Sequence, residues 1–235
     1  MGESAQKRII RRIELEIFLS QIKSVPFPKA DLEQYLISES VAATMLHTAA
    51  YHYNDIVGRN ILDLGCGTGR LSLGAAFLGA DEVFGIDLDK EAVRSALENS
   101  RRTELGQRTN WITGDLRIVR GKLDTVLQNP PFGVQKRNAD RAFLEKALEV
   151  GDAIYSLHNH PRMDIQLMNK LKSAPSKMLQ VSASPFLKEY IERLGGSIQS
   201  VYAMPMTLPR AFTFHKKAKH EIIVDFYIIK KTNPK

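Results

Sequence analysis

The chain has 235 residues, of which 43% are hydrophobic and 25% charged, ordinary values for a globular protein with one full α/β core and a small extension. No stretch approaches the roughly 18 apolar residues of a membrane-spanning helix, and the start lacks a signal-peptide pattern, so we expect no membrane association. The single cysteine, Cys66, excludes an internal disulfide and fits a cytoplasmic location. The formal charge of +7 favours a polyanionic partner such as nucleic acid, although solubility alone explains it equally well.

The first predicted unit is a basic N-terminal helical extension over residues 1–30. Apolar residues at helical spacing predict a helix over 6–24, which Pro26 and Pro28 end, and a second helix is predicted over 38–53. From Asn60 onward predicted strands and helices alternate, a pattern typical of a parallel sheet with helices on both faces. The predicted strands are 61–64, 82–86, 109–113, 123–127, 153–157, 197–206 and 221–229, and the later helices are 69–78, 90–100, 139–150 and 185–194.

The main domain is predicted over residues 31–235, and the segment 159–181 interrupts its alternation. Two prolines, Pro161 and Pro175, break the pattern there, and four basic residues accompany a single acidic one, Asp164. We therefore predict an insertion that is helical in part.

A glycine-rich segment, residues 63–69 (DLGCGTG), lies where the first predicted strand meets its helix. Its glycines permit a tight turn and the close approach of a ligand. Arg70 stands where a dinucleotide-binding fingerprint has its third glycine, which argues against a nicotinamide cofactor. The loop instead suits S-adenosylmethionine, which has no phosphate, although a ligand-free turn is the alternative. The loop residues predicted to bind the cofactor are Gly65, Cys66, Gly67 and Gly69, with Cys66 as a small packing residue.

Acidic residues follow three successive predicted strands. Asp63 is predicted to accept from the ammonium group of the cofactor, and Asp115 from its adenine amino group. Asp87, about 20 residues beyond the loop, is at the expected position for a carboxylate that binds two ribose hydroxyls. Each has a structural alternative, helix capping near Asp89 or an ordinary turn, but together they favour S-adenosylmethionine.

The tetrapeptide Asn129-Pro130-Pro131-Phe132 follows the apolar run 123–127 and must end that strand, because proline has no N–H for a central ladder. Asn129 Oδ1 and the Pro130 carbonyl could each accept one N–H of a planar amino group, while Phe132 stacks on the flat system that carries it. The tetrapeptide therefore predicts methyl transfer to an amino nitrogen, with a proline-rich turn as the alternative. His158, near the end of the next predicted strand, is expected to line the same cleft in a wall or orienting role.

Basic residues cluster near both ends of the chain, and the C-terminal cluster is mixed with aromatic side chains over residues 212–220. Lysines there could hold phosphates while aromatic rings stack on bases, although a solvated hairpin is the alternative. The predicted RNA contacts are Lys7, Arg8, Arg11, Arg12, Phe214, His215, Lys216, Lys217 and Lys219.

In this combination the chain resembles the methyltransferase-like N6-adenosine methyltransferases of small-subunit ribosomal RNA from eukaryotes and archaea. The resemblance implies an α/β class I methyltransferase fold, a Rossmann-like, mostly parallel sheet of seven strands with a reversed last strand. It also implies cofactor contacts at Gln34, Leu88 and Leu116 in addition to those above. The family usually has threonine where Ile37 stands, and the insertion has no family counterpart. The matching stretches are 32–35 (LEQY), 63–67 (DLGCG), 129–133 (NPPFG), 155–158 (YSLH), 214–217 (FHKK) and 224–225 (VD).

The same resemblance implies the partners, which are the small ribosomal subunit with its RNA and a small zinc-binding methyltransferase-activator protein that pairs with eukaryotic members along the sheet edge. Trp111 lies on the predicted edge strand, where a buried aromatic is the simpler interpretation. No metal ligand set is predicted in this chain.

Two other functions remain open from the sequence. One is a protein glutamine-N5 methyltransferase that acts on translation termination factors and shares the tetrapeptide. The other is a non-catalytic binding module in ribosome assembly. The basic C-terminal loop disfavours the first function, and the intact Asn129 and glycine loop disfavour the second.

Overall fold

The computed structural model describes residues 9–24, 29, 37–132, 139–162, 164–174, 176–209 and 219–232, and for residues 208, 209, 219 and 220 it describes the backbone alone. Within these ranges the chain forms an eight-stranded sheet in the order β3-β2-β1-β4-β5-β8-β7-β6. The strands are β1 (Asn60–Leu64), β2 (Glu82–Asp87), β3 (Thr109–Thr113), β4 (Leu123–Gln128), β5 (Gly151–Asn159), β6 (Leu179–Gln180), β7 (Gly196–Pro209) and β8 (Lys219–Lys231). The helices are α1 (Arg12–Ser20), α2 (Glu39–Tyr51), α3 (Arg70–Phe77), α4 (Lys90–Arg102), α5 (Ala139–Val150), α6 (Ile165–Ser173) and α7 (Pro185–Arg193).

Strands β1 to β5 pair in parallel, whereas β8 is antiparallel to both β5 and β7. This confirms the predicted Rossmann-like α/β architecture with a reversed last strand. The chain winds from β1 toward β3 in one direction and toward β5 in the other, so the strand order reverses between β1 and β4. A ligand site is expected outside the carboxyl ends of the strands at that point.

The predicted number of seven strands is wrong by one. Strand β6, inside the segment 159–181, pairs antiparallel with β7 opposite Ala203 and Tyr202. A strand of two residues has no alternating pattern, so the sequence gives no signal for it. Helix α6 lies in the same segment and packs on β7 and β8 through Met168, Leu171 and Ile223.

Both faces of the sheet are buried, because neighbouring residues of the central strands point to opposite sides. On one face, Leu127 and Tyr155 pack with helices α1, α2 and α3. On the other face, Val126 and Ile154 pack with helices α5 and α7. The polar groups at the strand ends are therefore held on a rigid, two-sided core.

Helix α1 is packed into the first of these cores. Leu15 and Leu19 are fully buried there, whereas Ile13 and Ile17 on another face are 50% and 58% exposed. The buried guanidinium of Arg70 on α3 donates to the carbonyls of Ile22 and Ile37 and forms a salt bridge with Glu39 at 3.0 Å. The N-terminal helices are thus tied to the glycine-loop helix, and the division at residue 30 stays a prediction.

Candidate active site

The glycine loop between β1 and α3 adopts a backbone that glycine favours. Gly65, Gly67 and Gly69 all have positive φ angles, of +68°, +53° and +83°. At Gly69 an added Cβ would lie 2.5 Å from the ring of Trp111, whereas at Gly67 it would meet nothing within 4 Å. Gly69 therefore allows close packing beneath the loop, and Gly67 leaves open space in front of it.

Asp87 at the end of β2 fastens this loop. Its Oδ2 atom accepts a hydrogen bond from the backbone N–H of Gly67 at 2.8 Å, and its Oδ1 atom accepts from that of Asp89 at 2.8 Å. Burial raises the pKa of the Asp87 carboxyl above its ordinary value. Asp89 itself caps α4 by accepting from the N–H of Glu91, so the predicted capping role belongs to Asp89.

Asp63 lies deeper, at 1% exposure, below the glycine loop. Its Oδ2 atom accepts from both the backbone N–H of Ser72, at 3.0 Å, and the Ser72 hydroxyl, at 2.6 Å. Burial raises the pKa of Asp63 to about 7, although the bonds from Ser72 act in the opposite direction. Its observed partners hold the first turns of α3, and the contact with a cofactor ammonium group stays a prediction.

The other predicted cofactor residues surround the same strand ends. Leu88, directly after β2, is 61% exposed, and Leu116 is half-buried. Asp115 accepts from the Arg117 guanidinium at 2.9 and 3.0 Å. Cys66 is buried, and burial raises the pKa of its thiol, which fits a packing role. Gln34 lies outside the described residues.

Two further residues near the loop were flagged by the sequence for other reasons. Trp111 is half-buried on β3, and its indole N–H donates to Ser100 Oγ at 3.3 Å. Ile37 is 4% exposed, and its side chain packs in the first core.

The tetrapeptide Asn129-Pro130-Pro131-Phe132 directly follows β4, as predicted. The Oδ1 atom of Asn129 is buried, Pro130 is buried, and Phe132 is half-buried against the first core. Because β4 pairs with β1, these groups stand beside the glycine loop at the carboxyl edge of the sheet. An amide oxygen, a carbonyl oxygen and a ring therefore meet next to the proposed cofactor site.

A chain of polar side chains lies below the tetrapeptide, on the α5–α7 face. Gln128, the last residue of β4, donates from Nε2 to Ser156 Oγ at 2.9 Å, and Ser156 Oγ lies 2.8 Å from His158 Nε2. His158 Nδ1 lies 3.7 Å from Asp140 Oδ2, at the start of α5. We call Gln128, Ser156, His158 and Asp140 the buried polar chain. It links the base of the tetrapeptide to the neighbouring strand and helix.

The position of His158 corrects the sequence prediction in one detail. Strand β5 continues to Asn159, so His158 lies inside the strand rather than after it and is 3% exposed. Its polar contact lowers the pKa of the Asp140 carboxyl below its ordinary value. The ring also packs edge-on against Tyr227 of β8. An orienting role fits this environment better than direct contact with a substrate.

A cavity of about 180 Å³ opens beside the tetrapeptide. Its walls come from the loop after β4, the starts of α5 and α7, and the end of β5. The residues that line it are Pro131, Phe132, Asp140, His158, Asn159, Ser184, Phe186 and Leu187. Sequence reasoning identified the first two and His158, but it gave no role to Asp140, Ser184 or Phe186, which lie far apart along the chain.

Most of the predicted RNA contacts lie outside the described residues and stay predictions. Arg11 and Arg12 lie at the start of α1, where they pair with Glu14 and Glu16. Only the backbone of Lys219 is described, at the start of β8. Lys7, Arg8, Phe214, His215, Lys216 and Lys217 lie outside the described residues.

The residues present fit S-adenosylmethionine. The space in front of Gly67 admits a ligand to the loop backbone, and the exposed apolar side chain of Leu88 adjoins the carboxylate of Asp87. An apolar surface beside a hydrogen-bond acceptor suits a base attached to a ribose.

Among the described residues, none of the helices is long and apolar enough to cross a membrane.

Comparison with known proteins agrees with this geometry. The family model for ribosomal protein L11 methyltransferase (PrmA) matches residues 42–130. The chain is 38% identical to the uncharacterized protein MJ0284 of Methanocaldococcus jannaschii, over 95% of both chains. It is 32% identical to the rRNA N(6)-adenosine-methyltransferase METTL5 of Danio rerio, over 91% of this chain and 95% of that one.

A crystal structure of PH1948 from Pyrococcus horikoshii, a candidate RNA methyltransferase, matches with a TM-score of 0.79 and 34% identity, over 96% of this chain and 100% of that one. The likeness to METTL5 covers 91% of this chain, whereas the match to the L11 methyltransferase model covers residues 42–130. The chain therefore belongs to the METTL5-like family of rRNA N6-adenosine methyltransferases, class I enzymes that use S-adenosylmethionine.

Proposed function

We propose that this protein methylates N6 of an adenosine in small-subunit ribosomal RNA. The observation that carries the proposal is the meeting of Asn129, Pro130 and Phe132 beside both the glycine loop and the cavity of about 180 Å³. The names of the relatives in zebrafish, fly and worm support ribosomal RNA as the substrate class.

The cofactor would be held by the backbone of Gly65 to Gly67, by Asp87 at the ribose, and by Leu88 and Leu116 at the base. When bound, S-adenosylmethionine supplies an electrophilic methyl group on its sulfonium. Asp63 and Asp115 keep their predicted contacts with the ammonium and adenine amino groups as part of the proposal.

The tetrapeptide would orient the acceptor. Asn129 Oδ1 and the Pro130 carbonyl accept the two N–H groups of the adenine amine, which turns the nitrogen lone pair toward the cofactor side. Phe132 stacks on the base, which must leave its helical stack to reach the site. Catalysis then rests on positioning and electrostatics, and no strong base is required because the methylated ammonium loses its proton readily.

The buried polar chain would keep Asn129 in place. Gln128 is the residue before Asn129, and its side chain is fixed to β5 through Ser156. His158 is fixed in turn by Ser156 on one side and Asp140 on the other. We therefore assign positioning roles to Gln128, Ser156 and His158, with Asn129 as the group that touches the substrate.

The predicted partners belong to the same proposal. The basic residues at both ends of the chain would extend the contact with the small ribosomal subunit, and the cytoplasm is the expected location. A small zinc-binding activator could pair with β3, one of the two edge strands of the described sheet, where Ile112 is 38% exposed.

A second candidate is amino methylation of a protein, such as a termination-factor glutamine. The match to the L11 methyltransferase model favours it, since that enzyme is named for a ribosomal protein substrate. The match ends at Pro130, however, and so does not include the cavity walls that would select the acceptor.

The test is to locate the transferred methyl group. The protein is incubated with methyl-labelled S-adenosylmethionine and small ribosomal subunits, naked ribosomal RNA or termination factor, and digests are analysed by mass spectrometry. We expect N6-methyladenosine from small-subunit RNA. Label on glutamine would establish the second candidate, and bound cofactor with no transfer would indicate a binding module.

A further inference from the structure

An aromatic and cationic surface lies at the outer rim of the cavity. Phe186 at the start of α7 is 49% exposed although it lines the same cavity as Phe132. Its ring stacks on that of Tyr190, with centroids 5.8 Å apart and planes inclined by 20°. Tyr190 itself is only 6% exposed, so it supports one side of the Phe186 ring, and the ring of Phe186 is the member of the pair that is exposed at the rim.

Two arginines flank this aromatic pair. The Arg141 guanidinium lies 4.7 Å from the centre of the Phe186 ring and 5.8 Å from that of Tyr190, and Arg193 lies 5.1 Å from Tyr190. Among the described residues no salt bridge includes Arg193 or Arg141, although the charge of Arg141 acts on the neighbouring Asp140. Their guanidinium N–H groups are donors of the kind that bind a phosphate. We call Phe186, Tyr190, Arg141 and Arg193 the rim stack.

We propose that the rim stack binds the nucleotide next to the target adenosine in single-stranded RNA. This inference rests on the proposed function. A cavity of about 180 Å³ suits one base, and it is lined by Pro131 and Phe132, which directly follow Asn129 and Pro130 in the tetrapeptide. The base of the nucleotide next to the target adenosine would then lie at the rim. There it can stack on the Phe186 ring, and its phosphate can bind the positively charged Arg141.

The aromatic face and the cation act on different parts of that nucleotide. Stacking on Phe186 tolerates any base, because every base has a π-face, and it holds the strand after the target has left its stack. Arg141 and Arg193 would neutralise the adjoining phosphates. The rim stack therefore contributes to RNA affinity without selecting a sequence, and it adds nothing to cofactor binding.

The decisive variant is Phe186→Ala, which removes an exposed ring and so should leave the fold intact. We expect the KM for the shortest rRNA fragment that the wild type methylates to rise roughly tenfold, with an unchanged KM for S-adenosylmethionine. Phe186→Trp should keep the wild-type KM. Ile165→Ala on α6, which removes a side chain that is 72% exposed elsewhere, is the matched control.

The substrate is varied in parallel. An RNA with an abasic site on one side of the target adenosine should abolish the difference between wild type and Phe186→Ala, because the stacking base is then absent. If the wild type methylates the fragment and Phe186→Ala matches it on intact RNA, the rim stack has no such role while the proposed function stands.

A binding measurement distinguishes failure of the rim-stack proposal from failure of the proposed function. A uridine oligonucleotide with one 2-aminopurine, added with S-adenosylhomocysteine, should lose fluorescence on the wild type and much less on Phe186→Ala. If no RNA fragment is methylated, the proposed function fails, and this quenching still decides whether the rim stack holds a base. Equal quenching by both proteins would overturn the rim stack.

Discussion

The two halves of the carboxyl edge are built in different ways. In the cofactor half, at the ends of β1 to β3, the loop is fixed through its backbone groups: the N–H groups of Gly65 and Cys66 donate to the Ile86 carbonyl, and that of Gly67 donates to Asp87 Oδ2. The acceptor half, at the ends of β4 and β5, depends on side chains from four separate elements, from Gln128 to Phe186. The match to the L11 methyltransferase model covers the first half and stops at Pro130. A site held by backbone groups can therefore be common to methyltransferases with different acceptors, whereas the side chains of the acceptor half distinguish one acceptor from another.

The two halves also differ in the direction in which their carboxyl pKa values are shifted. In the cofactor half, burial raises the pKa of the Asp63 and Asp87 carboxyls. In the acceptor half, contact with His158 lowers the pKa of Asp140. Asp63 and Asp87 thus lie in a dry environment that disfavours their charged forms, whereas Asp140 is stabilised in its charged form by a partner within the protein.

The largest effect should come from removing the amide of the acceptor half. Asn129→Ala should lower kcat roughly 100- to 1,000-fold, by analogy with loss of one transition-state hydrogen-bonding group. Cofactor affinity, measured by calorimetry, should not change, because the glycine loop is untouched. Asn169→Ala, an exposed asparagine on α6, is the control. Near-normal methyl transfer by Asn129→Ala would refute the proposed mechanism.

Next in size is a change that affects the cofactor half alone. Gly67→Ala places a methyl group in the open space before the loop and should weaken S-adenosylmethionine binding roughly tenfold or more. Gly58→Ala is the matched control, since Gly58 also has a positive φ, of +67°, and free space around it. Both variants should lose about 1–2 kcal/mol of stability from backbone strain. Equal cofactor affinity in the two variants would contradict the placement of the cofactor.

A smaller effect is expected from interrupting the buried polar chain. Ser156→Ala removes the hydroxyl between Gln128 and His158 and should lower kcat roughly tenfold, with little change in the KM for cofactor. Ser100→Ala, a fully buried serine whose hydroxyl binds Leu97 O and Trp111, should cost similar stability. If both variants lose the same activity, the buried polar chain contributes to stability alone and does not position Asn129.

The smallest effect concerns pH. Because the folded-state pKa of Asp140 is depressed, its contact with His158 stabilises the fold above the ordinary carboxyl pKa of 3.8 and is lost as the pH falls through the folded value. Asp140→Asn should therefore be less stable than the wild type at pH 6, by less than about 1 kcal/mol, because the Asp140 side chain is 26% exposed and its Oδ2 lies 3.7 Å from His158 Nδ1. Urea unfolding at several pH values should show the difference vanish in acid, and a constant difference would exclude this coupling. Arg141, the other charge acting on Asp140, is present in both proteins.

Much of the cofactor half could be predicted from the sequence. The glycine spacing, the carboxylate about 20 residues later and the strand-ending prolines are local patterns, and each follows from backbone geometry. The acceptor half could be predicted only at the tetrapeptide and at His158. Asp140 and Phe186 lie on helices with ordinary amphipathic patterns, so nothing in their neighbourhood distinguishes them from surface residues.

The packing of the N-terminal helix α1 also could not be predicted from the sequence. Helical spacing identified α1, but the face it buries is that of Leu15 and Leu19, while Ile13 and Ile17 are exposed. Arg70 was read as the residue that breaks a dinucleotide fingerprint. It is also a buried cation that holds the backbone of Ile22 and Ile37. A side chain's partners 33 and 48 residues away cannot be inferred from local spacing.

The sequence by itself determined the alternation of strands and helices from β1 to β5, the tight turn of the glycine loop and the end of β4 at the tetrapeptide, because these depend on periodicity, glycine conformations and proline. Only the tertiary structure decided which side chains support that tetrapeptide. Sheet pairing brings Gln128 to Ser156, and helix packing brings Asp140 to His158 and Phe186 to the cavity rim. These contacts join distant residues through the folded core, and their distances exist only once the core has formed.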